Sequence, residues 1–322
     1  MKKLYWSILG LGSIATSFAA TFAADDAQLY AVGSRSIEKA EQFATTFGIE
    51  KAYGSYDELL NDPAIDVVYI ATPHSHHADL IMKSLEHGKH VLCEKAIVMN
   101  TKQLDAAMNL AKEKDLILAE AMTIYHMPLY QELKKRMADG SLGKLNMIQV
   151  SFGSLKEADP TNRFFNKAIA GGALLDIGTY ALSFARFFLS SQPNEVLTTV
   201  NFFETGVDEQ AGIILKNAEN ELATIAIAFR AKMPKQGIVA FEHGYLTVPD
   251  FPRADEATLT YSDGSVERIQ AGYTTQALNY EISHFNENVR TKKDTSSLTL
   301  THDVMDIMDT LRKKWGLTFD FE

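Results

Sequence analysis

From Leu4 to about Met122, short apolar runs alternate with stretches whose apolar residues recur at helical spacing, which predicts a parallel sheet wound by crossover helices. Strands are predicted at Leu4 to Gly10, Gln28 to Ser34, Val67 to Ala71, His90 to Cys93 and Leu116 to Ala119. Helices are predicted over Ser13 to Ala24, Ile37 to Phe47, His76 to His87 and Thr101 to Lys114, with Ser36 and Thr101 as N-caps. The rhythm changes near Tyr125. A helix from Pro128 to Met137 ends at Asp139-Gly140, and strand-like segments follow at close spacing. These are Met147 to Phe152, Val196 to Phe203, Gly212 to Leu215, Leu222 to Phe229, Gly237 to Phe241 and Ala257 to Tyr261. Turn chemistry such as Ser262-Asp263-Gly264 makes that sheet largely antiparallel. A helix from Gly171 to Phe188 interrupts it. Two terminal helices, about Thr275 to Val289 and His302 to Trp315, are expected to cover that sheet or the seam between domains. The pattern therefore gives an α/β domain with a wound parallel sheet over residues 1–121, followed by an α+β domain over 122–322 with a mostly antiparallel sheet.

Composition agrees with two packed domains: 322 residues, 46% hydrophobic and 22% charged. The net charge of -10 argues against a nucleic-acid partner, whose phosphates demand Lys and Arg. Cys93 is the single cysteine, so neither an intramolecular disulfide nor a thiolate zinc cage can form, and a cytoplasmic location is expected. Lys2 and Lys3 precede an apolar run that stops at glycines and reads as a strand rather than a leader. No apolar run reads as long enough to cross a bilayer, so no membrane partner is expected.

Gly10-Leu11-Gly12-Ser13-Ile14-Ala15 follows the first strand and opens the first helix, as a dinucleotide fingerprint does. Gly10 permits the tight turn, Gly12 lets a pyrophosphate approach the backbone, and Ala15 keeps helix and strand close. The free N–H groups near Ser13 and Ile14 and the helix dipole favour the anion. The second strand ends in Gly33-Ser34-Arg35-Ser36 without the carboxylate that usually holds an NAD ribose. Arg35 suits adenine stacking and a 2′-phosphate, Ser34 supplies a hydroxyl and Lys39 adds charge one turn on. NADP is favoured over NAD.

Glu94-Lys95 lies just past the fourth predicted strand, at the carboxyl end of the sheet where open α/β folds bind ligands. A Lys95 ammonium there can stabilise negative charge on a substrate oxygen. Gly171-Gly172 leads into a helix on which Asp176 and Tyr180, four apart, share one face. Tyr180 can exchange a proton with a substrate oxygen, but a phenol of ordinary pKa ~10 needs a nearby cation to work near neutrality. Lys95 would be that cation. Arg163, before the glycine pair, reads as a solvated loop residue that can reach the cleft. His74, His76 and His77 lack acidic or thiol partners at ligand spacing, so no metal is expected. Met305 and Met308 read as core or interface.

Together these motifs resemble the glucose–fructose oxidoreductase and inositol dehydrogenase family, Gfo/Idh/MocA, and within it the dimeric dihydrodiol dehydrogenases. The markers are Gly10 to Ala15, Ala71-Thr72-Pro73-His74 with His77, Glu94-Lys95, Ala119-Glu120-Ala121-Met122, and the segment holding Asp176 and Tyr180. The resemblance implies an α/β Rossmann domain at the N-terminus, NAD(P)-dependent oxidation or reduction of sugars, polyols or related diols, and a large open, mostly antiparallel C-terminal sheet packed face to face in a homodimer or higher oligomer. It makes Lys95 the catalytic lysine, Tyr180 the acid/base and Asp176 a substrate-binding carboxylate. Thr72, Pro73 and His77 match the loop near the nicotinamide ribose, and Glu94 joins the cofactor-binding set. Ala96 stands where the family usually has proline, which leaves the backbone of Lys95 less constrained. Some relatives on this fold are cofactor-sensing regulators without turnover, which is the alternative reading.

Overall fold

The computed structural model describes residues 3–292 and 297–322; Met1 and Lys2, part of the N-terminal segment read above, lie outside the described residues. The first half alternates as its pattern predicts. In chain order it holds β1 (Leu4–Leu9), α1 (Ser13–Thr21), β2 (Ala27–Gly33), α2 (Ile37–Phe47), β3 (Lys51–Tyr53), α3 (Tyr56–Leu60), β4 (Val67–Ile70), α4 (His77–Glu86), β5 (His90–Glu94), α5 (Thr101–Glu113) and β6 (Leu118–Ala121). The six strands pair in parallel in the order β3-β2-β1-β4-β5-β6. The order reverses between β1 and β4, the switch point where such sheets bind ligands. Strands β4 and β6 are buried at every position, as a sheet covered on both faces requires. The short pair β3 and α3 has too few apolar residues to register as a pattern. Ser36 caps α2 as expected, accepting the Lys39 N–H at 3.2 Å, but α5 is capped by Asn100, one residue before the expected Thr101.

The second half holds α6 (Pro128–Ala138), β7 (Leu145–Gly153), α7 (Thr179–Phe188), β8 (Glu195–Phe202), β9 (Asp208–Lys216), β10 (Leu222–Ala228), β11 (Gln236–Phe241), β12 (Gly244–Pro249), β13 (Glu256–Tyr261), β14 (Val266–Gln270), α8 (Ala277–Thr291) and α9 (Leu298–Trp315). Its eight strands run β14-β13-β12-β11-β7-β10-β9-β8, antiparallel except for the parallel pair β7 and β10. Two of these strands escape the sequence reading. β12 is bounded by Gly244 and Pro249, and β14 is polar, with Ile269 its one buried residue. On one face Ile148, Val150, Ile225, Ile213, Val239, Leu246 and Leu259 are buried. Helix α7 lies against β7 and β10, with Ala181, Leu182, Phe184 and Ala185 fully buried. The stretch 167–188 is apolar enough by length and composition to cross a membrane, contrary to the sequence reading, but 78% of its apolar window is buried as core.

The chain divides into two compact units, residues 1–122 with 278–299 and residues 123–277 with 300–322. Helix α8 returns to the first unit, where the expectation was that it covers the second sheet or the seam between domains. Trp6 explains it: its indole N–H donates to Asn286 Oδ1 at 3.0 Å, and Phe285 packs edge-on at 5.3 Å. Leu278, Ile282, Phe285 and Val289 join Trp6, Phe18 and Tyr69 in one apolar core.

Candidate functional site

The turn after β1 is built to bring backbone close to a ligand. Gly10 has φ +89°, and a Cβ there would meet Thr72 Cγ2 at 2.7 Å and the Ala71 carbonyl oxygen at 2.9 Å, so only glycine fits. Around Gly12 the reverse holds: a Cβ would meet no atom within 4 Å. Its glycine therefore serves space outside the chain's own packing. Helix α1 starts at Gly12 with no side-chain cap, which leaves its first N–H groups to an anion. Ala15 is fully buried against the sheet, as the fingerprint requires. Thr72 Oγ1, at the end of β4 beside Gly10, is buried without a hydrogen-bond partner. An uncapped helix start, an open cradle and an orphaned hydroxyl at one switch point fit a dinucleotide phosphate and ribose.

At the end of β2, Ser34 is buried and its hydroxyl accepts the Ser36 N–H at 3.3 Å, so it orders the turn. Arg35 and Lys39 are both exposed, the first just after β2 and the second in the first turn of α2. Ser13 is exposed and Ile14 half-buried at the start of α1. Pro73 is exposed and opens the turn His74–His76.

Lys95 follows β5, and the peptide between it and Ala96 is cis. Its backbone is tied on both sides. The Lys95 N–H donates to Glu94 Oε2 at 3.3 Å, and the Lys95 carbonyl lies 3.1 Å from His74 Nε2. The Ala96 carbonyl lies 3.0 Å from His77 Nδ1, and the Ile97 N–H donates to Glu120 Oε1 at 3.1 Å. Ala96 itself is fully buried. The restraint that a proline would give is therefore supplied by side chains, which corrects the expectation of a loose lysine.

Two expected cofactor contacts turn inward. His77 is fully buried between the Ala96 carbonyl and the Thr72 carbonyl, 2.8 Å from its Nε2. It shapes the loop and presents no ring nitrogen to a ligand. Burial holds its pKa below the ordinary value, against the pull of those carbonyls. Glu94 is buried too, accepting the Tyr69 hydroxyl and the Lys95 N–H. Glu120 and His74 carry the loop without having been assigned a role from sequence. The available signal was Glu120 itself, a carboxylate in the apolar run Leu118 to Ala121. Among the described residues no group of three or more His, Cys, Asp or Glu side chains is placed to hold a metal.

In the second unit, the expected regular helix opens with a π-helical turn, Leu174–Gly178, in which the Thr179 N–H donates to the Leu174 carbonyl. Such wide turns concentrate at functional sites. Asp176 lies in it with its side chain 16% exposed, and Arg163 reaches to 4.0 Å of its carboxylate while stacking on Phe164. Arg163 is a mostly exposed loop residue, as expected, that also comes near Asp176. Tyr180, the second residue of α7, lines a cavity of about 570 Å³ together with Phe152, Lys235, Arg253 and Asp255. The Phe152 ring lies 6.3 Å from Tyr180, with the Lys235 ammonium over it at 5.2 Å. One aromatic wall with charges of both signs suits a small, hydroxyl-rich ligand.

The family description "Oxidoreductase family, NAD-binding Rossmann fold" matches residues 4–122, and the Gfo/Idh/MocA C-terminal domain matches 130–247. The trans-1,2-dihydrobenzene-1,2-diol dehydrogenase of Xenopus laevis is 33% identical over 88% of each chain, and that of Homo sapiens 29% identical over 98% of each. Among solved structures, a levoglucosan dehydrogenase in complex with NADH superposes with a TM-score of 0.88 at 19% identity, covering 98% of this chain and 97% of that one. A 3-ketoreductase from Actinomadura kijaniata, in complex with NADP and TDP-benzene, does so with 0.84 at 22% identity, covering 97% and 98%. With its switch-point cradle and both domain matches in register, this chain belongs to the Gfo/Idh/MocA family of nicotinamide-dependent oxidoreductases.

Proposed function

We propose that the chain is an NADP-preferring oxidoreductase acting on a carbinol or carbonyl carbon of a sugar, polyol or diol. The observation that carries this reading is Tyr180, a phenol at the wall of a polar cavity on the helix that also bears Asp176. The relatives named above act on, or were crystallised with, ligands of this kind, which supports the substrate class. Gly10, Gly12, Ser13 and Ile14 would hold the pyrophosphate, Thr72 and Pro73 the ribose beside the ring, and Ser34, Arg35 and Lys39 the 2′-phosphate. When bound, the nicotinamide ring supplies the hydride donor or acceptor.

The chain's own groups manage the proton and the charge. Tyr180 gives its hydroxyl proton to a carbonyl oxygen, or takes one from an alcohol. Lys95 donates a hydrogen bond to that same oxygen and favours the phenolate. Asp176, steadied by Arg163, accepts from a neighbouring substrate hydroxyl and orients the sugar or diol. Incubation with NADPH or NADP and a panel of sugars, polyols, diols and dicarbonyls, followed by nicotinamide fluorescence, tests this. Lys95→Ala and Tyr180→Phe should each lose about 10²–10⁴-fold in turnover with dinucleotide affinity retained. Tight binding with no turnover on any substrate would favour a cofactor-sensing regulator.

We also propose a homo-oligomer formed through the second sheet. Leu222, Met147, Ala240 and Tyr245 stand opposite one another across β10, β7, β11 and β12, and Leu197 stands opposite Ile214. All but Ala240 are large and more than a third exposed. A flat apolar row of this kind is suited to a second copy of the same sheet.

A further inference from the structure

The segment that bears Asp176 and Tyr180 starts against a buried carboxylate from another strand. Asp208, the first residue of β9, is 1% exposed, and its Oδ2 accepts the Leu174 N–H at 2.6 Å. Gly172 makes room for it. This glycine has φ +130°, and a Cβ there would lie 2.3 Å from Asp208 Oδ1. Neither the π-helical turn Leu174–Gly178 nor α7 has a side-chain cap of its own. The orphan amides at the start are met by Asp208 instead.

A neutral acceptor would cap these amides at less cost, since a buried carboxylate loses hydration that hydrogen bonds only partly replace. Burial pushes its pKa up to about 6, against the pull of the Leu174 and Ala173 N–H groups and of Arg312 from α9. That arginine also pairs with Glu322 and stacks on Phe319. A costly ion is kept two residues before Asp176 and six before Tyr180, where a displacement would be felt in the cavity.

We propose that Asp208 is a positioning residue: its grip on the Leu174 amide fixes the rotation of the π-helical turn and so aims Asp176 and the Tyr180 hydroxyl. The inference rests on the role given to Tyr180 above. Its test compares full-length Asp208→Ala and Asp208→Asn with wild type, the asparagine retaining one acceptor should the alanine fail to fold. Turnover should fall about ten- to hundredfold in Asp208→Ala and less in Asp208→Asn, with dinucleotide KM unchanged. In a Tyr180→Phe background the same changes should cost little more, because Asp208 acts through Tyr180. Hydrogen exchange across residues 173–181 should quicken while the other strands of the second unit keep their protection. Unchanged exchange there, or an additive loss in the Tyr180→Phe background, would overturn the inference. Exchange needs no turnover. A protein inactive on every substrate would count against the proposed function, while exchange still decides on Asp208.

Discussion

At the scale of single residues, the site depends on polar groups held in unfavourable places. Asp208 has a folded-state pKa of about 6 against an ordinary 3.8, so the folded chain holds this proton more tightly than the unfolded one. Stability is then lost as pH rises from about 4 through about 6, by roughly 3 kcal/mol when complete. Urea unfolding of wild type and Asp208→Asn at pH 4 and pH 8 should show that the difference between them moves in favour of the variant by this order. A pH-independent difference would contradict the assignment. Arg35 makes a second case. Exposed just after β2, it should contribute to affinity only where a 2′-phosphate is present. Arg35→Ala should weaken NADPH by ~tenfold or more and leave NADH nearly unchanged in fluorescence titration.

At the scale of elements, periodicity reported what it physically can. Every long strand and helix of the first unit was legible because burial on both sheet faces forces apolar runs between amphipathic helices. β3 and β14 were not, since a short or edge strand can be mostly polar and still pair through its backbone. Helix α8 was readable as a helix but not in its address, because its apolar stripe fits any core and the first unit is selected by polar partners far apart in the chain, such as Trp6 with Asn286 and Asp26 with Arg290. Phe285→Ala should therefore cost about 3–5 kcal/mol and lower dinucleotide affinity, though it lies far along the chain from the fingerprint. A thermal shift with and without NADPH reads both effects. The π-helical turn was hidden for a related reason: it stands at the start of its helix, where no apolar pattern precedes it to be thrown out of phase.

At the scale of the whole molecule, the fold class followed from rhythm and the cofactor cradle from a glycine pattern with a geometric purpose. What the sequence concealed was support: His74, His77, Glu94 and Glu120 around Lys95, and Asp208 beneath the helix of Tyr180. Buried polar partners carry no periodic signal and come together only in three dimensions. The open row on the second sheet belongs to this scale as well. Ile214→Lys, or Met147→Glu at the row's centre, should shift the sedimentation coefficient toward a monomer while each folded unit persists. A wild-type monomer at micromolar concentration would rule out that oligomer.

The proposed function requires that Lys95 and Tyr180 meet the same substrate oxygen. A crystal structure of the full chain with NADP and a substrate or inert analogue measures it directly. Lys95 Nζ and Tyr180 Oη are both expected within about 2.6–3.2 Å of the reacting oxygen. A complex with the dinucleotide in the Gly10–Gly12 cradle but either group directed elsewhere would contradict it.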